Sequence, residues 1–203
     1  YQGAVPVFAD VDPATGNVTA ESVAAVMSER TRAVIVTHLF GAPADLAALR
    51  ALADARDVVL IEDAAQAFGT RSRGRSAGTA GDLAAFSLQQ GKHVTAGEGG
   101  FVVAADATRA RHVRRWVNKA WEYGVADTDH DFLALNSRLS ELQGAVARVQ
   151  LDRLDDSVAQ RRANAQRLRD ALADLPGVRL APEADGDTHS YWRRSEEHTS
   201  ELQ

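Results

Sequence analysis

A chain of 203 residues, 45% hydrophobic and 25% charged, fits one ordinary domain or slightly more and has the composition of a soluble globular protein. It contains no cysteine, which excludes disulfide scaffolds, thiolate metal sites and cysteine nucleophiles, and its net charge of −5 argues against nucleic acid as the main partner. No apolar run approaches the ~20 residues of a membrane span and no signal peptide is visible, so a cytoplasmic protein without a membrane partner is expected.

In chain order, short β-branched runs alternate with helical patterns. Residues 5–9 read as a strand, and Thr19 is a good N-cap for a helix over 20–28. AVIVT (33–37) is a buried strand ended by Gly41 and Pro43, and residues 45–56 carry Leu46, Leu49, Leu52 and Ala53 at helical spacing. Residues 58–62 form the next buried strand. Residues 71–81, rich in glycine, arginine and serine, read as a turn-containing excursion.

Strands are expected again at 83–87 and 101–105, then a helix from Asp106 to about Trp116. An irregular aromatic stretch spans about 121–136. Helices over 140–151 and 155–175 follow, the second stopped by Pro176-Gly177, with a strand over 178–180. Such alternation specifies an α/β fold, a mostly parallel sheet sandwiched by helices. Both ends suggest a fragment: Tyr1 is not an initiator methionine, and RSEEHTSELQ (194–203) resembles a translated sequencing adapter. The expected division is a large domain over 1–153, a linking helix with the start of a smaller domain over 154–193, and a non-native tail.

In open parallel sheets ligands lie beyond the carboxyl ends of the strands, where His38, Asp63 and Ser87 fall. Asp63 ends an apolar run, so a cationic partner would be needed to keep its carboxylate ionised; an aspartate capping the next turn is the plainer alternative. Lys92 stands in a polar loop between a hydroxyl residue, Ser87, and the glycines Gly97, Gly99 and Gly100. Hydroxyls and glycine-flanked N–H groups suit a phosphate, although the glycines also make an ordinary turn before the strand. An acid and a lysine at strand ends are what a pyridoxal phosphate (PLP) enzyme needs: the acid keeps the pyridine nitrogen protonated, and the lysine holds the aldehyde as a Schiff base. A rival, a metal-dependent hydrolase using His38, Glu62 and Asp63, lacks compact ligand spacing, and no metal site is assigned.

Three blocks, IEDAAQAFG, GTAGDLAAFSLQQGKHVTAGEGGFVV and NSRLSELQGAVARVQLDRLD, resemble the DegT/DnrJ/EryC1/StrS aminotransferases over about residues 5–192. The resemblance implies PLP-dependent fold type I, the large domain of an aspartate aminotransferase. It also implies that Lys92 is the Schiff-base lysine, Asp63 the partner of the pyridine nitrogen, Gln66 a neighbour of the phenolic oxygen and Ser87 a phosphate ligand. Asn136 would reach the phosphate of a neighbouring subunit, which implies a homodimer with shared active sites. The implied reaction is amino transfer from glutamate or glutamine to a keto sugar nucleotide or keto-cyclitol, and SLQQGKH is similar to members acting on scyllo-inosose.

Two alternatives are a PLP-dependent sugar dehydratase, in which histidine replaces the lysine, and a PLP-binding regulator without turnover. His38 and Phe40 read as pocket-wall or packing residues, and His93 as either a neighbour of the site or an exposed histidine. Trp116, Trp121 and Tyr123 read as core, and Arg138 with Glu141 as an ion pair at a helix start.

Overall fold

The computed structural model describes residues 3–126, 130–193 and 196–198. Its strands are β1 (Ala33–Thr37), β2 (Val59–Asp63), the short β3 (Arg71–Ser72) and β4 (Arg75–Ser76), β5 (Leu83–Ser87) and β6 (Gly100–Ala104). The main sheet has the order β1-β2-β5-β6. β1 and β2 run parallel from Ala33↔Val59 to Thr37↔Asp63, and β5 joins in parallel with Asp63↔Ala85. β6 closes the sheet antiparallel, from Leu83↔Ala104 to Ser87↔Gly100. A mostly parallel sheet results, as the β-branched runs require.

The helices begin where short polar side chains can take up free N–H groups. Thr19 caps α1 (Ala20–Val26) and Ser140 caps α4 (Glu141–Leu151), each in a reciprocal box with the third helical residue. Asp45 caps α2 (Leu46–Ala55) and Asp106 caps α3 (Ala107–Val117). Next come α5 (Leu154–Leu172), β7 (Val178–Leu180) and β8 (Glu196–His198), the last two paired antiparallel.

Alternation along the strands sorts their side chains into two faces. Val34, Val36 and Leu60 are buried against Leu49 and Ala53 of α2 and Val23 of α1. Glu62 and Ala84 share that face by register, and the fully buried Leu60 and Leu49 each contribute about 1.5–3 kcal/mol. Beside this core, Phe68, Leu88 and Val94 meet Ala147 of α4. Asp63, Ala85 and Ser87 point the other way, and there Ile35 of β1 stays 66% exposed. Helix α5 presses Val158 onto Gly69, where a Cβ would come within 2.9 Å of it. A cavity of about 440 Å³ lies beside it, lined by Phe86, Phe101, Val103 and Arg162 on the face away from Asp63.

Three expectations change. Residues 5–9 form no strand: Val5, Val7 and Phe8 are exposed, and no described strand lies beside them to complete a ladder. Residues 71–81 are more ordered than a simple excursion. β3 and β4 make a hairpin turned by Arg73 and Gly74, both at positive φ, as a two-residue turn demands. The supposed adapter tail falls mostly outside the described residues; only the backbone pairing of 196–198 is described.

Candidate active site

β2 ends in Glu62-Asp63, and adjacent strand residues face opposite ways. Glu62 points into the core and is fully buried. Its Oε1 accepts from the Ala80 and Gly81 N–H groups at 2.7 and 2.6 Å, and its Oε2 from Gly78 N–H at 2.6 Å and His38 Nε2 at 3.0 Å. Burial alone would raise its pKa. The bonds from His38, Gly78 and Gly81 outweigh that and hold the carboxyl below its ordinary 4.5. His38 Nδ1 accepts from Ala44 N–H at 3.1 Å, which assigns the proton to Nε2 and aims it at Glu62.

These bonds settle the hydrolase rival. Both ring nitrogens of His38 are engaged, both Glu62 oxygens hold two donors each, and Asp63 lies on the other face. The pair is a structural clamp that ties the 78–81 turn and the end of β1 to β2. Nothing in the sequence distinguishes it from a ligand pair, because the four donors come from residues 16 to 24 positions away.

Asp63 is half-buried at the carboxyl end of β2. Its backbone carbonyl accepts from His38 N–H at 3.1 Å and its Oδ1 from Ala65 N–H at 3.1 Å. Among the described residues Oδ2 takes no hydrogen bond, so this oxygen is the one available to a cationic ring nitrogen. The expected turn cap therefore uses one oxygen of this carboxylate and leaves the other.

Lys92 is half-buried in the loop between β5 and β6. Burial pushes its amine below the ordinary 10.5; the Asp63 charge opposes this and Arg193 adds to it. The amine therefore feels the charge of Asp63. The amine lies 4.0 Å from the centroid of the Trp192 ring. Ser87 lies on the Asp63 face by strand register, and its Oγ accepts from Gln89 N–H at 3.3 Å.

Gln66 Oε1 accepts from Phe40 N–H at 2.7 Å, which leaves its amide nitrogen as the free donor end. Phe40 has φ of 56°, a left-handed conformation uncommon for a bulky residue, and is half-buried.

Asn136 lies in the stretch between α3 and α4. It is exposed, pairs with Asn118 as an isolated bridge and accepts from Arg138 Nε at 3.0 Å. Arg138 also bonds the Tyr123 hydroxyl, so it does not make the expected pair with Glu141. Tyr123 is 64% exposed, not core. Trp116 and Trp121 are half-buried, against Phe132 and Tyr123 respectively. His93 is buried, with Nε2 on the Ser190 carbonyl at 3.0 Å, and not at the surface.

One residue was missed altogether. Trp192 stacks on Phe40 with centroids 6.4 Å apart and donates from Nε1 to the Gly91 carbonyl at 2.7 Å. It lies 101 positions from Gly91 in sequence, too far for any local pattern to reveal the contact.

The mostly parallel sheet flanked by helices is that of the large domain of a fold type I PLP-dependent transferase. The chain belongs to the DegT/DnrJ/EryC1/StrS aminotransferase family, whose model matches residues 1–201. It is 41% identical over 199 residues to the erythromycin biosynthesis sensory transduction protein EryC1 of Saccharopolyspora erythraea, covering 96% of this chain and 53% of that one. It is 40% identical over 195 residues to the L-glutamine:2-deoxy-scyllo-inosose aminotransferase of Streptomyces fradiae, covering 91% and 46%. Among solved structures, DesV from S. venezuelae superimposes with a TM-score of 0.91 at 36% identity, covering 98% and 53%. The chain spans about half the length of the curated relatives it matches.

Proposed function

We propose that this chain forms the cofactor-binding part of a PLP-dependent aminotransferase that moves an amino group from glutamate or glutamine to a keto sugar nucleotide or keto-cyclitol. The observation that supports the reading is the Asp63 carboxylate at the carboxyl end of β2, with one oxygen free of hydrogen bonds among the described residues, whose charge is felt by the half-buried Lys92 amine. The donor set fits the cofactor, with an acid for a ring nitrogen, an amine for an aldehyde, and a hydroxyl beside a glycine-rich loop for a phosphate.

Bound PLP would supply an electron sink for the donor's Cα. Lys92 would hold the cofactor through its aldehyde and, when free, would serve as the base that moves a proton at Cα. Asp63 would keep a proton on the ring nitrogen. The Gln66 amide would donate toward the phenolic oxygen, and Ser87 with the neighbouring glycine loop would hold the phosphate. Asn136, which is exposed, suits a role at the phosphate of a second subunit, in a homodimer with shared sites. Residues 1–153 as the large domain and 154–193 as the linking helix and start of the smaller one complete the proposal.

The printed name of the Streptomyces fradiae relative supports the cyclitol acceptor, and Lys92 stands where a dehydratase would carry histidine. A regulator remains a second reading because the Saccharopolyspora relative is named as a sensory transduction protein. Rapid-mixing spectra of the full-length protein with glutamate or glutamine separate the two. Conversion of the cofactor to its amine form, with release of the keto acid, is expected. A cofactor spectrum that neither donor changes leaves only the regulator.

A further inference from the structure

We propose that Trp192 is a positioning residue for Lys92, whose ammonium rests on the indole face whenever it is not bonded to the cofactor. The inference rests on the reading of Lys92 as the cofactor lysine. A lysine on four rotatable bonds, once displaced, can wander; it must stay within reach of the atoms between which it moves a proton. In the structure its Nζ stands 4.0 Å from the centroid of the Trp192 ring. That is well inside the range at which the negative face of an indole attracts an ammonium.

The indole is itself fixed from several sides. Its Nε1–H donates to the carbonyl of Gly91, the residue before Lys92, at 2.7 Å. Its ring stacks on Phe40 with an interplanar angle of 24°. Arg161 donates to the Tyr191 and Trp192 carbonyls at 3.2 and 3.3 Å, and Arg193 N–H donates to the Phe40 carbonyl at 3.3 Å. Phe40 is in turn held by Gln66 Oε1 at 2.7 Å. One line of contacts therefore runs from the lysine's rest to the glutamine expected at the ring's phenolic oxygen, so the two are set relative to one another.

The charges around the amine compete. Asp63 at the end of β2 favours the ammonium; Arg193, which lies 4.6 Å from the same indole, disfavours it, and so does burial. The adjacent His93 is buried and bonded to the Ser190 carbonyl, and its own protonation is opposed by Lys92. Against burial and Arg193, the indole adds a local preference for the charged amine without a counter-ion.

Only the neutral amine can attack an aldehyde, so the rate at which PLP attaches to full-length apoenzyme reports the protonation of Lys92. In Trp192→Leu the ammonium loses its rest, and the pH midpoint of attachment should fall by roughly 0.4 to 1.5 units, from the usual strength of such contacts. Trp192→Phe, which keeps a weaker ring face, should shift in the same direction by less. It decides the question if the leucine variant does not fold. A midpoint unmoved in folded Trp192→Leu or Trp192→Phe overturns the inference while leaving the cofactor lysine in place. Failure of the unaltered enzyme to attach PLP at all overturns both.

Discussion

Replacing Glu62 by glutamine changes one atom, and the geometry says that this one atom is costly. Each Glu62 oxygen accepts two hydrogen bonds: Oε1 from Ala80 and Gly81, Oε2 from His38 and Gly78. Whichever way a glutamine amide turns, its NH2 group meets two donors. His38 cannot relieve the conflict by moving its proton to Nδ1, because that nitrogen already accepts from Ala44 N–H at 3.1 Å. Two buried donors left without acceptors cost about 1–3 kcal/mol each, so Glu62→Gln should lose about 2–6 kcal/mol. That is a large part of a typical total of about 5–15 kcal/mol.

Urea unfolding of the full-length protein measures the loss as a lower midpoint at an unchanged slope. The difference should also depend on pH. The folded pKa of Glu62 lies below 4.5, so its charge-dependent stability is complete above pH 4.5 and is lost as pH falls through the folded value. The gap between native and variant should therefore narrow in acid. A Glu62→Gln protein within about 0.5 kcal/mol of the native one would refute the clamp.

His93 gives the converse pH test. Burial holds its folded pKa below 6.5, with Arg161 and Lys92 adding to the effect, so its neutral form stabilises the fold fully above pH 6.5. That contribution is lost as pH falls through the lowered value, and His93→Gln, which can still donate to Ser190 but cannot titrate, should flatten this part of the urea-midpoint profile. An equally steep profile in the variant would contradict the assignment. Asp63→Asn should still bind PLP but transfer amino groups about 10- to 1000-fold more slowly, as expected from removing an opposite charge worth roughly 1–3 pKa units to the ring nitrogen. Steady-state turnover checks it, and undiminished activity would remove Asp63 from its role.

The strands and helix starts were the legible part of the chain. AVIVT, the run into Asp63 and LAAFS read as continuous apolar runs, and the strands they form fall within one residue of the expected bounds, although AVIVT lies at the sheet edge with Ile35 exposed. Thr19, Asp45, Asp106 and Ser140 mark helix starts because capping is a local bond, written within four residues. Residues 5–9 carried the same signal and failed, since a strand needs a neighbour that its own sequence cannot supply.

The site divides along the same line. Asp63, Gln66, Ser87 and Lys92 were proposed through motif blocks, and the structure adds that the Lys92 amine feels the Asp63 charge. The wrapping of Glu62, the burial of His93 and the indole beneath Lys92 all depend on contacts between distant segments. The Trp192 contact with Gly91 spans 101 positions, and that of His93 with Ser190 spans 97. Phe40 entered its left-handed conformation for a tertiary reason too, the bond to Gln66.

The chain contains only two lysines, Lys92 and Lys119. Lys119 is exposed and lies 6.0 Å from the centroid of the Trp121 ring. Borohydride reduction of the full-length protein with its cofactor, followed by proteolysis and mass measurement, fixes the position of the linked amine. The account predicts the pyridoxyl mass on the peptide containing Lys92, and its loss in Lys92→Ala. Label on Lys119, or undiminished label in the alanine variant, would contradict it.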